Sequence, residues 1–114
     1  MNKDRFRFRA WDKDIKRYWE PGNFELRRAC KDKSLVIEQC TGLKDASGKL
    51  IYEGDILLLD PDDPHALVVW NEYVAMFCLE QEDVCYTFDN CGYSPQEMEI
   101  VGNSHENPEL MEDK

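Results

Sequence analysis

The sequence predicts a mainly β domain, a β-dominated α+β domain at most, built as a small sandwich or barrel. Short segments of alternating apolar and polar residues carry this prediction, together with turn residues that recur about every ten positions. The 114 residues suit one domain, and 42% hydrophobic residues are enough for a core. A small barrel would also protect the strand edges of such an aromatic-rich chain.

The first strand is predicted over residues 5–11, where apolar and charged residues alternate strictly. Phe6, Phe8 and Ala10 are expected to face the core. The opposite, outer face is expected to hold Arg5, Arg7, Arg9 and Trp11. A turn at Asp12–Asp14 and a return strand over Lys16–Trp19 complete a predicted N-terminal hairpin.

The remaining elements follow from β-branched or alternating runs bounded by turn residues. Residues 24–32 are polar and basic, which indicates a loop or a short edge element. Asp45 followed by Gly48 fits a type I turn that ends in glycine. Asn107, Pro108 and Glu109 have the order of a helix start and predict one short C-terminal helical turn. Further strands are predicted at residues 35–40, 50–52, 56–59, 66–70, 73–80, 84–89 and 98–101.

The charge is distributed unevenly along the chain, whose net charge is −10. Residues 1–34 hold eleven Lys/Arg and six Asp/Glu, a net +5, whereas residues 35–114 hold three and eighteen, a net −15. Such asymmetry indicates a partner inside or outside the molecule. This leaves several alternatives open. The basic third could pack on the acidic remainder, within one subunit or between subunits. Alternatively, a basic face could bind nucleic acid, or an acidic face could bind a basic partner.

The residue types that bind metals lack the usual spacing. The five cysteines, at positions 30, 40, 78, 85 and 91, include no C-x-x-C pair, and we interpret them as free thiols. The acidic loop with Asp60, Asp62 and Asp63 lacks the pattern of a calcium loop and is expected to be solvated. We therefore expect no metal and no cofactor.

Three segments stand out as a set because of their order and spacing. They are Phe6–Asp12 (FRFRAWD), Gln39–Ile56 (with QCTGLKD, GK and IYEGDI) and Ile100–Leu110 (with IVGN and HENPEL). The set resembles the YopX-like family of phage and prophage proteins over nearly the whole chain, departing at Cys40 and Ser104. The resemblance implies a phage or prophage origin and a compact, mostly β domain. We assign this single β domain to residues 1–105 and a C-terminal tail to residues 106–114. The Tyr52–Ile56 stretch also resembles the opening strand of SH3-like barrels, which favours a small SH3-like or related barrel.

The function hypotheses belong to different classes. The resemblance brings no catalytic residue to transfer, and no phosphate loop or local nucleophile motif is present, so we expect no enzyme. The first hypothesis is a phage accessory protein that acts through an unknown protein partner or as a homo-oligomer. The alternative is a nucleic-acid-binding module, in which Arg5, Arg7 and Arg9 follow a phosphate backbone and Trp11 stacks on a base. Outward arginines are, however, also ordinary on a half-buried strand.

The expected location is the cytoplasm of a bacterial host. The chain opens with alternating Phe and Arg instead of an apolar leader, and no apolar run reaches the roughly 18 residues of a membrane span. We therefore expect no membrane association.

Overall fold

The structure is a computed structural model that describes residues 3–19 and 24–112. It is mainly β, as predicted, and its strands form two antiparallel sheets. The strands are β1 (Phe8–Asp12), β2 (Arg17–Tyr18), β3 (Leu35–Lys44), β4 (Leu50–Tyr52), β5 (Asp55–Leu58), β6 (Ala66–Asn71), β7 (Met76–Gln81), β8 (Val84–Thr87) and β9 (Glu99–Asn103). The first sheet has the order β2-β1-β3-β4, and the second, which curls into a half-barrel, has the order β8-β7-β6-β5-β9.

The predicted N-terminal hairpin is present, with Trp11 of β1 opposite Tyr18 of β2. Asp12 organises the connecting turn. Its Oδ1 accepts hydrogen bonds from the backbone N–H groups of Asp14 at 2.9 Å and Ile15 at 3.3 Å. A carboxylate at the start of a turn satisfies backbone donors that have no strand partner, which explains why the chain reverses here.

The first strand starts later than predicted. Residues Asp4–Phe6 form a 3₁₀ helix, and β1 begins only at Phe8. The side chains of Asp4 and Arg7 are joined at 3.1 Å, and the backbone N–H of Arg7 donates to the carbonyl of Asp4. These contacts three residues apart favour a tight turn over an extended chain, so the predicted strand over residues 5–11 is wrong in its first half.

The predicted Asp45–Gly48 turn connects β3 and β4. The N–H of Gly48 donates to the carbonyl of Asp45 at 3.0 Å, and Gly48 has the positive φ of +86° that favours glycine. The Asp45 carboxylate accepts backbone hydrogen bonds from Ser47 and Lys49 within the turn. It also accepts one from Ile100 of β9 at 3.1 Å, so this turn contacts the second sheet.

The hydrophobic core lies on the inner face of the half-barrel. Alternate residues of β5, β6 and β7 point into it, and β4 and the residue before β9 close it. Its fully or nearly fully buried members are Ile51, Leu57, Leu59, Ala66, Val68, Leu79 and Met98. The core therefore belongs mainly to the chain after residue 50, where the acidic residues also lie.

Several local elements differ from the prediction. Residues Leu26–Ala29 form a short α-helix, α1, where a loop or edge element was expected. The strand β7 begins at Met76 and not at residue 73, because residues 72–75 form a turn in which Ala75 has φ of +53°. A 3₁₀ helix at Pro95–Glu97 lies between the strands predicted at residues 84–89 and 98–101. Across residues 3–19 and 24–112, none of the helices combines the length and apolar character needed to cross a membrane.

The predicted C-terminal helical turn is present as a 3₁₀ helix over Pro108–Met111. The carbonyl of Leu110 lies 3.1 Å from Nδ1 of His65, and the side-chain oxygen of Asn107 accepts a hydrogen bond from the backbone of Asn103. The segment predicted as a tail thus contacts the body of the domain, and its last residues, 113 and 114, lie outside the described residues. The division at residue 105 stays a prediction.

Candidate functional site

The four residues predicted to form a binding row do not share one exposed face. Arg5 lies on the 3₁₀ helix and is exposed, and Arg7 is exposed and contacts Asp4. Arg9 and Trp11 lie inside the protein, with 18% of the Arg9 side chain and 6% of Trp11 accessible. The prediction that all four face solvent is therefore wrong, because other elements cover the outer face of β1. Whether these residues bind nucleic acid or a partner stays a prediction.

Arg9 is the centre of a buried ionic cluster. Its Nε lies 2.8 Å from Oε1 of Glu38, and its Nη2 lies 2.9 Å from Oδ1 of Asp55. Its guanidinium also packs on the rings of Tyr18 and Tyr52, at 4.4 Å and 4.9 Å from the ring centroids. Both carboxylate side chains are only 5% accessible, so the charges are separated from bulk water.

Glu38 is shared by further partners. The hydroxyl of Tyr18 donates to Oε1 of Glu38 at 2.9 Å, and Nε2 of His105 lies 3.0 Å from Oε2. The ring of Trp11 stacks on that of His105, with 4.8 Å between centroids and 7° between planes. We call these residues, with Arg9 and Asp55, the Arg9 cluster. Both oxygens of Glu38 are occupied by groups of the protein itself.

The Arg9 cluster joins the two sheets. Arg9 comes from β1, Asp55 from β5 and His105 from the segment after β9. Gly54 has φ of +90°, and a Cβ atom there would overlap Oε2 of Glu38. Both facts explain why glycine precedes Asp55 in the sequence. The three segments that carry the family resemblance thus each supply a residue to one cluster.

The electrostatics keep Arg9 charged. Burial alone would lower the pKa of Arg9, but Asp55 and Glu38 outweigh it and raise that pKa. Burial raises the pKa of Asp55, although Arg9 opposes the rise. Burial also raises the pKa of Tyr18, which keeps its hydroxyl a hydrogen-bond donor. Arg9 thus forms ion pairs with two carboxylates, Glu38 of the first sheet and Asp55 of the second, and these pairs connect the two sheets.

The groups considered for metal binding are dispersed. Within the described parts of the chain, no three His, Cys, Asp or Glu side chains are grouped so that they could hold a metal ion. In the acidic loop, Asp60 accepts a hydrogen bond from the backbone of Asp62, and Asp63 accepts one from the hydroxyl of Tyr93 at 3.0 Å. The absence of a metal or cofactor stays a prediction.

A second candidate site lies on the half-barrel sheet, and the sequence analysis did not identify it. Six of the nine large apolar side chains that are exposed in the described chain belong to β6, β7, β8 and the β6–β7 turn. They are Trp70, Tyr73, Val74, Met76, Val84 and Tyr86. β8 is the last strand of its sheet, and none of the described strands pairs with its outer edge.

A groove lies beside this edge strand. We call it the β8 groove. Val84 and Tyr86 supply apolar surface from β8, Tyr93 and Pro64 from the facing loops, and Asp63 and Glu82 supply carboxylates. The two charged residues that line the groove are both acidic, and residues 50–113 contain no Lys or Arg and 16 Asp or Glu. That one-sided composition was the signal in the sequence for this site.

The comparisons with known proteins agree with this fold. A search of the curated proteins found no match. The crystal structure of protein EF1440 from Enterococcus faecalis is similar, with 25% sequence identity, a TM-score of 0.66, and coverage of 93% of this chain and 97% of that chain. The family model described as YopX protein matches residues 23–112. The protein therefore belongs to the YopX family.

Proposed function

We propose that the protein is a non-enzymatic accessory protein of a phage or prophage that binds a partner protein at the β8 groove. The occupant we propose is an extended, basic segment of another protein, which adds to β8 as a further strand. The phage or prophage setting is part of the proposal and rests on the family resemblance. The observation that carries the binding site is a groove beside an edge strand, lined both by apolar side chains and by the carboxylates of Asp63 and Glu82.

The edge supports strand addition. A strand at the end of a sheet presents unpaired backbone N–H and C=O groups, and proteins usually protect such edges with lysine, proline or a covering segment. β8 (Val-Cys-Tyr-Thr) has none of these residues, and Val84 is 47% exposed and Tyr86 37% exposed. Added strands obtain affinity from the backbone and specificity from alternate side chains.

The groove supports a basic occupant. Lysine and arginine have apolar stems and charged ends, so their stems fit on Val84, Tyr86 and Tyr93 while their charges meet Asp63 and Glu82. A second copy that paired β8 with β8 would instead bring two acidic sheets together, which is unfavourable. The charges therefore favour a different protein over self-association.

A random peptide library displayed on particles tests the proposal. We expect the wild-type protein to enrich extended peptides with Lys or Arg at alternate positions, with binding that weakens as salt rises. Val84→Lys and Glu82→Lys should each weaken the binding of an enriched peptide about tenfold or more. Ile15→Lys is the matched control, because Ile15 is 54% exposed in the hairpin turn of the other sheet.

Three results would overturn the proposal. One is enrichment of peptides without basic residues. Another is equal binding to the wild type and to Val84→Lys, provided that circular dichroism shows both folded. The third is sedimentation of the protein as an oligomer that Val84→Lys dissociates, which would assign the β8 edge to a second copy. We expect a monomer at low and at high salt.

A further inference from the structure

Two cysteines are diagonal neighbours on the outer face of the half-barrel sheet. In the register of β7 and β8, Cys78 is opposite Thr87 and Cys85 is opposite Glu80, so the cysteines are diagonal neighbours on the same face. The Cys85 thiol lies close enough to Cys78 to add to the rise that burial causes in the pKa of the Cys78 thiol. The β8 groove uses the alternate residues of β8, on the other face.

The sheet is curved so that this diagonal is short. The side-chain amide of Asn71 in β6 lies 3.6 Å from Sγ of Cys85 in β8, although β7 separates these strands. Cys78 occupies the middle of that diagonal and is 1% exposed, whereas Cys85 is exposed. A contact that spans three strands shows how closely the curvature brings diagonal side chains together.

We propose that Cys78 and Cys85 form a reversible disulfide across β7 and β8 when the protein meets a peroxide. This modification site goes beyond the proposed partner binding and does not depend on it. Diagonal positions in a flat sheet have Cα atoms about 7–8 Å apart, slightly beyond the usual reach of a disulfide, so the short diagonal is what permits the bond. A bond formed at the limit of its geometry is readily reduced, which makes it reversible.

The two thiols have different roles. Exposed Cys85 meets the peroxide first, and its Sγ takes one oxygen to give a sulfenic acid while one water is released. Sγ of Cys78 then attacks Sγ of Cys85, the S–O bond breaks, and the hydroxide leaves with the thiol proton as a second water. Two thiols lose two electrons and two protons, and the peroxide is reduced. Cys78 is 1% exposed and burial raises the pKa of its thiol, so this thiol is protected from direct reaction with the peroxide.

The other cysteines are less suited to pair with Cys85. Cys91 lines the β8 groove on the opposite face, and its thiol donates to the carbonyls of Phe88 and Tyr93 at 3.4 Å and 3.2 Å. Cys40 is buried in β3, and Cys30 follows α1, so both are remote in the fold. Cys91 therefore serves as the internal control.

Peptide mapping after mild oxidation tests this site. The folded protein is treated with hydrogen peroxide, remaining thiols are alkylated, and a Glu-specific protease cleaves after Glu80 and Glu82, between the two cysteines. Without reduction, we expect the fragment with Cys78 to be joined to the fragment with Cys85, and dithiothreitol to separate them. The same oxidation in denaturant should give mixed pairs, since the pairing depends on the fold.

Variants identify the bonded cysteine. Cys91→Ser should leave the joined fragments unchanged, and Cys85→Ser should abolish them while Cys78 stays unmodified in the folded protein. The proposal is overturned if the joined fragments are absent from the oxidised wild type, if they persist in Cys85→Ser, or if the linkage occurs only between subunits on a non-reducing gel. Cys85 is exposed, so its replacement by serine keeps the fold available for this comparison.

Discussion

Arg9→Met tests whether the Arg9 cluster holds the two sheets together. Methionine keeps much of the apolar stem and removes the charge, so Glu38 and Asp55 remain buried without their cation. Removing one partner of a buried ion pair costs about 3–5 kcal/mol. Because 18% of the Arg9 side chain still reaches solvent, we expect a loss near the lower limit, about 3 kcal/mol.

Equilibrium unfolding in urea measures this loss, with Arg7→Met as the matched control. The Arg7 side chain is 63% exposed beside Asp4, and exposed ion pairs contribute about 0–1 kcal/mol. A domain of this size has a total stability of about 5–15 kcal/mol, so the Arg9 variant loses a large part of it. If the two variants lose equal free energy, the Arg9 cluster does not stabilise the fold as we argue.

The pH dependence gives an independent check. Without Arg9, only the hydrogen bond from the backbone N–H of Tyr52 still opposes burial, so the pKa of Asp55 in the folded state rises further above its unfolded value. A carboxyl group with a raised folded pKa binds more protons when folded, so its contribution to stability falls as pH rises above about 4. We therefore expect the difference between Arg9→Met and the wild type to be larger at neutral pH than near pH 4. A pH-independent difference would refute this reasoning.

Three further predictions concern other parts of the chain. Gly48→Ala should cost about 1–2 kcal/mol in urea unfolding for its positive φ, and Gly54→Ala should cost more because the new Cβ also overlaps Glu38; equal losses would argue against the close packing. Burial would raise the pKa of Asp45, but its hydrogen bonds, first that from the backbone of Ile100, outweigh burial and lower this pKa. The stabilisation by Asp45 is therefore present above about pH 4 and is lost as pH falls through its folded pKa. In thermal unfolding, the Asp45→Asn variant should accordingly lose less stability on acidification than the wild type. Parallel acid profiles of the two proteins would contradict a stabilising role of the Asp45 carboxylate. Gel-shift assays should detect no binding of the protein to DNA or RNA at physiological salt, because the net charge is −10; salt-sensitive binding would restore the nucleic-acid alternative.

Much of the secondary structure was predictable because its causes are local. Alternation over a few residues and the turn chemistry of Asp45 and Gly48 depend on neighbours in sequence, and the observed hairpins confirm them. The start of β1 was predicted wrongly because the contact of Asp4 with Arg7 competes with strand formation over the same residues. The helix α1 was missed because four residues are too few to show a helical period.

The inner position of Arg9 and Trp11 was not predictable in the same way. Alternation tells which residues share a face of a strand, but it does not tell whether a second sheet covers that face. One signal was present, since Glu38 is a charged residue within the apolar run of β3. A charged residue in such a run needs a buried partner, yet the sequence does not say which of its arginines is that partner.

By itself, the sequence determined the β class, the main turns, the separation of basic and acidic regions and the family resemblance, because each depends on composition or on short-range order. The tertiary structure decided which side chains meet. Arg9 and Glu38 are 29 positions apart, and Glu38 and His105 are 67 positions apart. The same holds for the β8 groove and for the diagonal placement of Cys78 and Cys85, since the curvature of a whole sheet brings diagonal side chains together and no local pattern encodes it.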